Sequence, residues 1–379
     1  MTNERQCILL VDDDPLITEA LSYTLEREGR TIILASDIDA AEVVLARFPV
    51  THLVSDVQFS GEFGFEGLHF LSRVRALSPD CRIVLMTGHA TDALRKAAMQ
   101  HGASAVLAKP FDTDELEAVL GAPVETSEYE VIRIPSMDEI LRGDEILAAF
   151  QPIVRLSPDG VETFAYEALT RVSGSWLRGG PAMLFEYAER RGKLVELNLL
   201  TMSRAIEEAA KLPGNASLFI NIDPLTFTRP ELMPALFTAA ERAGVPLERI
   251  VLEVTERSAF ENCADVSQVF GDLRNRGVRF ALDDHGSAYS HLSAIDAIRP
   301  SFIKISNSFG TAFESDPTRE RIVRHVISLA RDFACDAIVE GIETEQTACA
   351  VTAAGVHLAQ GFYFGRPQRA RHWKGSAAA

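Results

Sequence analysis

Short apolar runs that alternate with helical stretches extend over almost the whole chain, and they limit the folds available to it. In the first third, five runs are predicted as strands, at residues 7–11, 31–35, 51–55, 82–86 and 105–107. Strands that alternate with helices form parallel sheets, because each helix carries the chain back across one face of the sheet. The pattern predicts an α/β domain with a five-stranded parallel sheet.

A longer series of apolar runs follows, and each of its runs ends in a polar residue. The polar ends are Glu167, Asn221, Glu253, Asp283, Lys304, Glu340 and Gln360. Seven or eight strand and helix units in one domain predict a TIM-barrel-like (β/α)8 fold, in which the carboxyl ends of the strands meet at one mouth. Burial of an unpaired polar group costs on the order of several kcal/mol, so a purely structural role does not explain these ends. They are candidate functional residues.

One segment interrupts this rhythm. Residues 121–136 contain two prolines and no helical stripe, which is typical of a linker. We expect a first domain at 5–121, a linker or hinge at 122–143 and a second domain at 144–373. A length of 379 residues suits two domains better than one. Residues 374–379 resemble a cloning tail and take no part in the predicted fold.

Charge and composition exclude several classes of protein. Lys and Arg number 37 against 54 Asp and Glu, and the net charge of −17 repels DNA in the absence of a local basic patch. No apolar run reaches the length of a membrane span, and the early acidic residues argue against a signal peptide. The five cysteines are scattered without a CxxC pair, which favours reduced thiols. We expect a cytoplasmic protein that binds neither DNA nor membranes.

Polar residues also follow the strands of the first domain. Asp12 and Asp13 come directly after the first strand, Asp56 follows the third, Thr87 the fourth and Lys109 the fifth. Open parallel sheets bind ligands at this carboxyl edge. Clustered carboxylates repel one another unless cations neutralise them, and Mg²⁺ together with the lysine ammonium would do so.

Over residues 5–121 this constellation resembles the receiver domain of two-component response regulators, which implies a flavodoxin-like fold. The resemblance implies that Asp56 accepts a phosphoryl group from a cognate histidine kinase. The remaining implied roles are binding of one Mg²⁺, for Asp12 and Asp13, and contact with the phosphoryl group, for Thr87 and Lys109. The chain departs from the family at Val106, where an aromatic residue is usual, and after Asp56, where the family's Met-Pro is missing.

From about Asp144 to Trp373 the sequence resembles the EAL domain of cyclic di-GMP phosphodiesterases. The motifs stand in the family's order as EAL followed by Arg171, FINID, LEVTE, LDDHGSAYS, FIKIS, VEGIET and QGFYFGRP. A lone EAL tripeptide would be a weak signal, whereas the ordered set is specific. The resemblance implies hydrolysis of cyclic di-GMP to linear pGpG.

The resemblance also implies a role for each matching residue. Metal binding is implied for Glu167, Asn221, Glu253, Asp283 and Asp284. Catalytic roles around the attacking water are implied for Lys304, Glu340, Asp284 and Gln360. Contacts with substrate are implied for Arg171 and Gln151, and support of the site or its loop for Glu256 and Glu343.

This composition suits metal-assisted hydrolysis of a phosphodiester. Carboxylate and amide oxygens are hard ligands that fit two Mg²⁺ or Mn²⁺ ions, and the absence of a Cys or His cluster argues against zinc. Two such cations offset the negative charge that builds up on the phosphate during attack. The chain departs from the family in the loop after Asp284, where His285, Ser287 and Ala288 are replacements, and at Ser306, which stands where the family has aspartate. These departures bear on the rate and not on the ligand set.

We therefore predict a homodimeric response regulator in which the receiver domain controls a cyclic di-GMP phosphodiesterase. A catalytically silent EAL domain that senses the dinucleotide is a first alternative, and a scaffold whose barrel serves as an interface is a second. At the level of single residues, Arg171 could form a surface ion pair and Glu256 could be an ordinary solvated acid.

Overall fold

The structure is a computed structural model of the 379-residue chain. It describes residues 6–56, 66–122, 129–157, 160–174, 176–177, 180–255, 267–285, 292–310, 313 and 316–373. Two units divide the chain: the first comprises Met1–Glu145 and Ser173–Lys193, and the second comprises Ile146–Val172 and Leu194–Ala379. Within the described ranges, every helix is too short or too polar to cross a bilayer.

The first unit is built on a six-stranded parallel sheet. In the described residues its strands are β1 (Gln6–Val11), β2 (Arg30–Ala35), β3 (His52–Asp56), β4 (Arg82–Thr87), β5 (Ala105–Ala108) and β6 (Glu130–Arg133). Its helices are α1 (Pro15–Thr24), α2 (Ile38–Leu45), α3 (Glu66–Leu77), α4 (Asp92–Gln100), α5 (Thr113–Leu120), α6 (Met137–Arg142) and α7 (Pro181–Arg190). The strand order β5-β4-β3-β1-β2-β6 confirms the α/β fold and brings the carboxyl ends of β1, β3, β4 and β5 to one edge.

The sheet has one strand more than the sequence predicts. The added strand, β6, lies inside the segment predicted as a linker and pairs in parallel with β2, with Thr31 opposite Glu130 and Leu34 opposite Arg133. Its sequence is Glu-Val-Ile-Arg, and Ile132 is its buried residue. A run of this length with charges at both ends carries too little apolar signal to be separated from a linker.

A buried arginine at the start of β2 ties the end of α5 to the sheet. The guanidinium of Arg30 donates to the two carboxylate oxygens of Glu117 at 2.8 and 2.7 Å and to Oε1 of Gln6 at 2.9 Å. Gln6 in turn donates to the carbonyl oxygen of Leu120 at 3.2 Å. The hydrogen bonds from Arg30 lower the pKa of Glu117. This pairing satisfies a charge that would be costly to bury alone.

Helix α7 packs within the first unit, although the chain reaches it from the second unit and returns there afterwards. The hydroxyl of Tyr187 donates to Oδ2 of Asp37 at 2.8 Å. Arg190 donates to Oε2 of Glu42, a buried residue of α2, at 2.5 Å. Helix α7 is therefore joined to α2 and its N-cap residue by charged and polar contacts.

The second unit is a closed barrel. In the described residues its strands run in the circular order β7 (Ile146–Ser157), β8 (Gly160–Val172), β9 (Ser217–Asn221), β10 (Ile250–Thr255), β11 (Arg279–His285), β12 (Phe302–Ile305), β13 (Asp336–Val339) and β14 (Leu358–Gln360). Its helices are α8 (Leu194–Ala209), α9 (Leu232–Ala243), α10 (Ser267–Asn275), α11 (Leu292–Ile298), α12 (Asn307–Gly310), α13 (Pro317–Asp332), α14 (Glu345–Ala353) and α15 (Ala370–Trp373), with 3₁₀ turns at Pro224–Thr228 and Leu247–Arg249. The TIM-barrel-like class predicted from the sequence is confirmed.

One strand departs from a uniform (β/α)8 barrel. β7 runs antiparallel to both of its neighbours, β8 and β14. Only residues 158 and 159 separate β7 from β8 along the chain. A parallel pair needs a crossover of about a dozen residues or more, so a connection of this length enforces the antiparallel arrangement.

Apolar side chains fill the inside of the barrel. They are Ile153, Ala165, Phe219, Val251, Ala281, Phe302, Ile338 and Leu358. A second apolar layer packs between the strands and the surrounding helices. Because these side chains fill the interior of the barrel, the polar residues near the carboxyl ends of the strands come together above them, at the mouth.

Candidate active site

A buried lysine lies at the centre of the barrel mouth. Lys304 is the third residue of β12, and its side chain is 1% exposed. Its Nζ lies 2.8 Å from Oε1 of Glu340, 3.0 Å from Oε1 of Glu253, 3.4 Å from Oε2 of Glu167 and 3.5 Å from Oδ1 of Asp283. The ammonium therefore points into the mouth and is shared by carboxylates from different parts of the chain.

Strand register explains why these carboxylates meet. Glu253 on β10 lies opposite Asn221 on β9, and Glu167 on β8 lies opposite Phe219 two residues before that asparagine. Phe302 on β12 lies opposite Ala281 on β11. Lys304 and Asp283 each come two residues later on these two strands. Adjacent strands of a tilted barrel place such residues in one layer, so positions remote in sequence converge.

Two amides complete the cluster. Asn221 donates from Nδ2 to Oε1 of Glu167 at 3.0 Å, and Gln360 donates from Nε2 to Oε2 of the same carboxylate at 2.6 Å. Oε2 of Glu253 and Oε1 of Gln360 are buried and accept no hydrogen bond from the described residues. Buried oxygens of this kind are costly unless a ligand or ion satisfies them.

The pKa values follow from burial and from the shared ammonium. Burial raises the pKa of Glu253 well above its ordinary value, and neighbouring carboxylates add to the rise. Burial raises the pKa of Glu340 to about 7 against the opposing effect of Lys304. For Lys304, burial acts to lower the pKa, but the surrounding carboxylates outweigh it and raise the pKa well above the usual range. The pKa of Glu167 is lowered, because Lys304 and the two amides outweigh the effect of burial.

The donor set fits hard divalent cations. Even without Asp283, three carboxylates share the Lys304 ammonium, so negative charge is in excess at this point of the described structure. Carboxylate and amide oxygens are the ligands that Mg²⁺ and Mn²⁺ prefer. Within the described ranges, no group of three or more acidic, His or Cys side chains is already arranged as a cation site. Lys304 occupies the space between the acids.

The two residues predicted to contact the substrate lie on barrel strands β8 and β7. Arg171, near the end of β8, is half-buried and donates from Nη1 to the carbonyl oxygen of Thr170 at 2.8 Å. Burial lowers the pKa of Arg171, and Glu167 opposes that effect. Gln151 is buried opposite Glu167 in the β7 and β8 pair and donates to the carbonyl oxygen of Gly365 at 3.2 Å.

One predicted residue, Glu343, lies apart from the cluster, and two others fall outside what the structure describes. Glu343 is exposed in the segment after β13. Asp284 belongs to β11, but its side chain lies outside the described part of the structure. Glu256 and most of the DDHGSAYS segment, residues 286–290, also lie outside the described residues.

The structure adds one residue that the sequence reasoning missed. Asn198 lies on α8 with its side chain buried, and its Oδ1 accepts a hydrogen bond from the backbone N–H of Asp223 at 3.2 Å. Asp223 is two residues beyond Asn221. An asparagine inside the apolar stripe of a helix was the available signal, because a buried amide requires a partner.

The first unit carries a second, smaller acidic cluster. Nζ of Lys109 lies 2.8 Å from Oδ2 of Asp12 and 2.8 Å from Oδ2 of Asp56. Burial raises the pKa of Asp12, and Lys109 opposes the rise. Asp13 is exposed beside this cluster, and Thr87 is buried at the end of β4. The structure thus brings Asp12, Asp56 and Lys109 together at the carboxyl edge of the sheet.

The structure also describes Val106, which stands where receiver domains usually have an aromatic residue. Val106 is buried in β5, and its carbonyl oxygen accepts a hydrogen bond from Nη1 of Arg95 at 2.8 Å. Arg95 lies on α4, so a guanidinium connects this helix to β5. The peptide bond between Lys109 and Pro110 is cis.

Comparison with protein families gives two matches in chain order. The family described as the response regulator receiver domain matches residues 8–121, and the family described as the EAL domain matches residues 136–367. The second match covers more than half of the chain.

Similar curated proteins share one or both regions. The cyclic di-GMP phosphodiesterase RocR of Pseudomonas aeruginosa is 25% identical over 386 residues, covering 97% of each chain. Protein y4lL of Sinorhizobium fredii, uncharacterised, is 31% identical over 237 residues, which cover 61% of this chain and 28% of that protein. The probable cyclic di-GMP phosphodiesterase PdeG of Escherichia coli is 29% identical and covers 61% of this chain and 47% of the relative. The chain thus spans less than half of several relatives and nearly all of RocR.

Solved structures match the barrel. The manganese and cyclic di-GMP complex of Klebsiella pneumoniae BlrP1 at pH 6 is 28% identical, with a TM-score of 0.54, covering 60% of this chain and 57% of that one. The cyclic di-GMP complex of the PaMucR phosphodiesterase is 25% identical, with a TM-score of 0.56, covering 62% of this chain and 97% of that one.

Proposed function

The chain belongs to the EAL domain family and carries a receiver domain, and from this premise we propose that it is a response regulator that hydrolyses cyclic di-GMP to linear pGpG. The observation that carries the proposal is the convergence of Glu167, Glu253, Asp283 and Glu340 on Lys304 at the barrel mouth. The names and bound ligands of the similar proteins support the choice of substrate.

Divalent cations are part of this proposal. The residues that would hold two Mg²⁺ or Mn²⁺ ions are Glu167, Asn221, Glu253, Asp283 and Asp284. When bound, such ions polarise the phosphate and activate a water molecule for attack. The buried oxygens without partners and the excess of carboxylates over the ammonium support this assignment.

The chain's own residues take the remaining parts of the reaction. Lys304 stabilises the negative charge that develops on the phosphate, since its buried ammonium is held at the centre of the mouth. We assign to Glu340, 2.8 Å from Lys304, the acceptance of a proton from the attacking water. Arg171 and Gln151 bind and orient the substrate, and Gln360 holds Glu167 in place through its amide.

Turnover of the purified protein tests the proposal. With Mg²⁺ or Mn²⁺ we expect conversion of cyclic di-GMP to pGpG, measured by chromatography. Glu167→Ala should lower turnover by more than about a hundredfold, because a ligand and the hydrogen-bond partner of two amides are lost together. Glu320→Gln is the matched control, because Glu320 is a partly exposed acid that pairs with Arg324 on α13.

The outcomes separate the proposal from its alternatives. No product with either metal would defeat the phosphodiesterase proposal. Tight calorimetric binding of cyclic di-GMP without product would support a silent receptor, and no binding at all would support a scaffold.

Regulation by phosphorylation is a further part of the proposal. Asp56 would accept a phosphoryl group from a histidine kinase, with one Mg²⁺ held by Asp12 and Asp13. The contact of Lys109 with Asp12 and Asp56 supports this role. Helix α7 packs on α2 of the receiver. Along the chain, α7 is the next helix after β8, the strand that carries Glu167. The chain segment between β8 and α7 therefore offers a covalent route from the receiver to the barrel.

Beryllofluoride, a mimic of the phosphoryl group, tests this regulation. We expect it to change the turnover or the oligomeric state of the wild-type protein and to leave Asp56→Asn unaffected, measured by product formation and by size-exclusion chromatography with light scattering. The same measurement tests the proposed homodimer. Equal turnover and mass with and without beryllofluoride would reject the coupling.

The cellular setting is also proposed and not observed. The acidic charge of −17 and the scattered cysteines support a cytoplasmic protein that acts without DNA.

A further inference from the structure

A buried amide on α8 reaches the segment that follows β9. Asn198 is 2% exposed, and both the nitrogen and the oxygen of its side-chain amide form hydrogen bonds. Nδ2 donates to the carbonyl oxygen of Leu194, one turn earlier in the same helix, at 2.8 Å. This bond leaves Oδ1 facing away from the helix, where it accepts the hydrogen bond from the N–H of Asp223 at 3.2 Å.

The segment that Asn198 contacts carries a proposed metal ligand. Asn221 donates to Oε1 of Glu167 at 3.0 Å, and the N–H of Ile222 donates to the carbonyl oxygen of Glu253 at 3.0 Å. Asp223 then accepts from the N–H of Leu225 at 2.9 Å and opens the 3₁₀ turn. Three successive residues are thus tied to three different elements, and Asn198 supplies the last tie.

Without this tie the segment after β9 would lose the hydrogen bond that joins the backbone of Asp223 to α8. The N–H of that residue would lose its acceptor inside a partly buried turn. The turn would then relax toward solvent, and the amide of Asn221 would lose its fixed direction toward Glu167. An error of about 1 Å in the position of a binding group is enough to weaken a site strongly.

We propose that Asn198 is a positioning residue that fixes Asn221 in the acidic cluster through the backbone of Asp223. This inference rests on the proposed function, because Asn221 is assigned there as a metal ligand. Residues that orient metal ligands from outside the ligand shell typically change metal affinity when they are replaced.

Two substitutions at this position separate the hydrogen bond from the packing. Asn198→Leu has a similar shape and removes the acceptor, whereas Asn198→Asp keeps an acceptor oxygen. Thr201→Val is the matched control, because Thr201 is a buried polar residue of the same helix that bonds only to the carbonyl oxygen of Asn198 in the described structure. Asn198→Ala replaces the leucine variant if the latter does not fold.

The full chain is used for two measurements. Because the receiver is also proposed to hold a divalent cation, Asp12 and Asp13 are replaced by Asn in every chain compared, including the one that serves as wild type. Binding of Mn²⁺ alone is then followed by electron paramagnetic resonance, and hydrogen exchange of a peptide spanning residues 219–225 is followed by mass spectrometry in EDTA. For Asn198→Leu we expect Mn²⁺ affinity about 10–100-fold weaker and faster exchange of the peptide. Asn198→Asp keeps the acceptor for Asp223 but loses the donation to Leu194, so its Mn²⁺ affinity should fall less than that of Asn198→Leu. Thr201→Val should change neither measurement.

Each outcome decides the proposal. Unchanged Mn²⁺ affinity in Asn198→Leu, or an equal loss in Thr201→Val, would overturn it, even if the melting temperature falls. If the wild type binds no Mn²⁺, the proposed metal-dependent function fails, while the exchange measurement in EDTA still decides whether Asn198 holds the turn.

Discussion

The two units of the chain each place a lysine among carboxylates, and they do so in different ways. In the first unit, Lys109 is 22% exposed and contacts Asp12 and Asp56. In the barrel, Lys304 is 1% exposed and contacts four carboxylates of the described residues. Two carboxylates share the ammonium of the first cluster, which is partly open to solvent. The second is enclosed and carries more negative than positive charge.

The other buried acids of the first unit sharpen this contrast. Glu42 pairs with Arg190 and also with Arg73 on α3, and Glu117 pairs with Arg30 and Arg27. These carboxylates therefore have arginine partners that serve the fold itself. The barrel acids share one ammonium instead, an arrangement that costs stability and is typical of functional sites.

Removal of each lysine should give the largest contrast between the two clusters. Lys304→Met leaves buried carboxylates without their shared cation and should lower the free energy of unfolding of the barrel by about 3–5 kcal/mol in EDTA. Lys109→Met should cost the first unit about 1 kcal/mol or less, because solvent screens its partly exposed pair. Urea unfolding measures both effects.

The two tryptophans allow the units to be followed separately. Trp176 belongs to the first unit and Trp373 to the second, so single-tryptophan variants report on each unit by fluorescence. Mn²⁺ should restore more stability to Lys304→Met than it adds to the wild type, since a divalent cation can replace the lost ammonium. Equal losses for the two lysine variants would contradict the contrast drawn between the clusters.

The contact between α2 and α7 should give an intermediate effect. Glu42→Gln removes the charge that faces Arg190 and Arg73, and we expect a loss of about 1–3 kcal/mol from the first unit. A double-mutant cycle with Arg190→Gln measures the coupling between these two side chains. Additive losses would show that the ion pair contributes nothing beyond its separate side chains.

The smallest effect should appear in the pH dependence of the Arg30 pair. Arg30 lowers the pKa of Glu117, so the folded state favours the carboxylate and gains stability above the ordinary pKa of this group. That gain should disappear as the pH falls through the lowered pKa, from about pH 5 downwards. Thermal unfolding of Glu117→Gln between about pH 6 and 3 should therefore depend less on pH than that of the wild type. Parallel curves would contradict the role assigned to this pair.

Much of the arrangement follows from the position of polar residues at strand ends. The ends at Glu167, Glu253, Asp283 and Lys304 are sufficient to predict that these side chains meet, because parallel strands of a barrel end at the same mouth. The catalytic and ligand roles of these residues are still predictions that the proposed assays test.

Other features depend on contacts that leave weak signals in the sequence. β6 is short and charged at both ends, so its pairing with β2 is decided by the sheet and not by its own residues. The direction of β7 follows from a connection of two residues, which the alternation of strands and helices does not reveal. Asn198 is distant in sequence from Asn221, and its role depends on a single backbone contact.

An exchange of receiver domains between related chains would have to include more of the sequence than residues 1–121. Tyr187 and Arg190 come after the first EAL motif in the sequence, but their acceptors are Asp37 and Glu42 of the receiver. A foreign receiver without acids at these two places would leave the buried hydroxyl of Tyr187 without this acceptor and Arg190 with Glu186 alone as its acidic partner among the described residues, although the whole barrel mouth was retained. Helices α2 and α7 therefore form a matched pair, and we expect a working chimera to transfer both together.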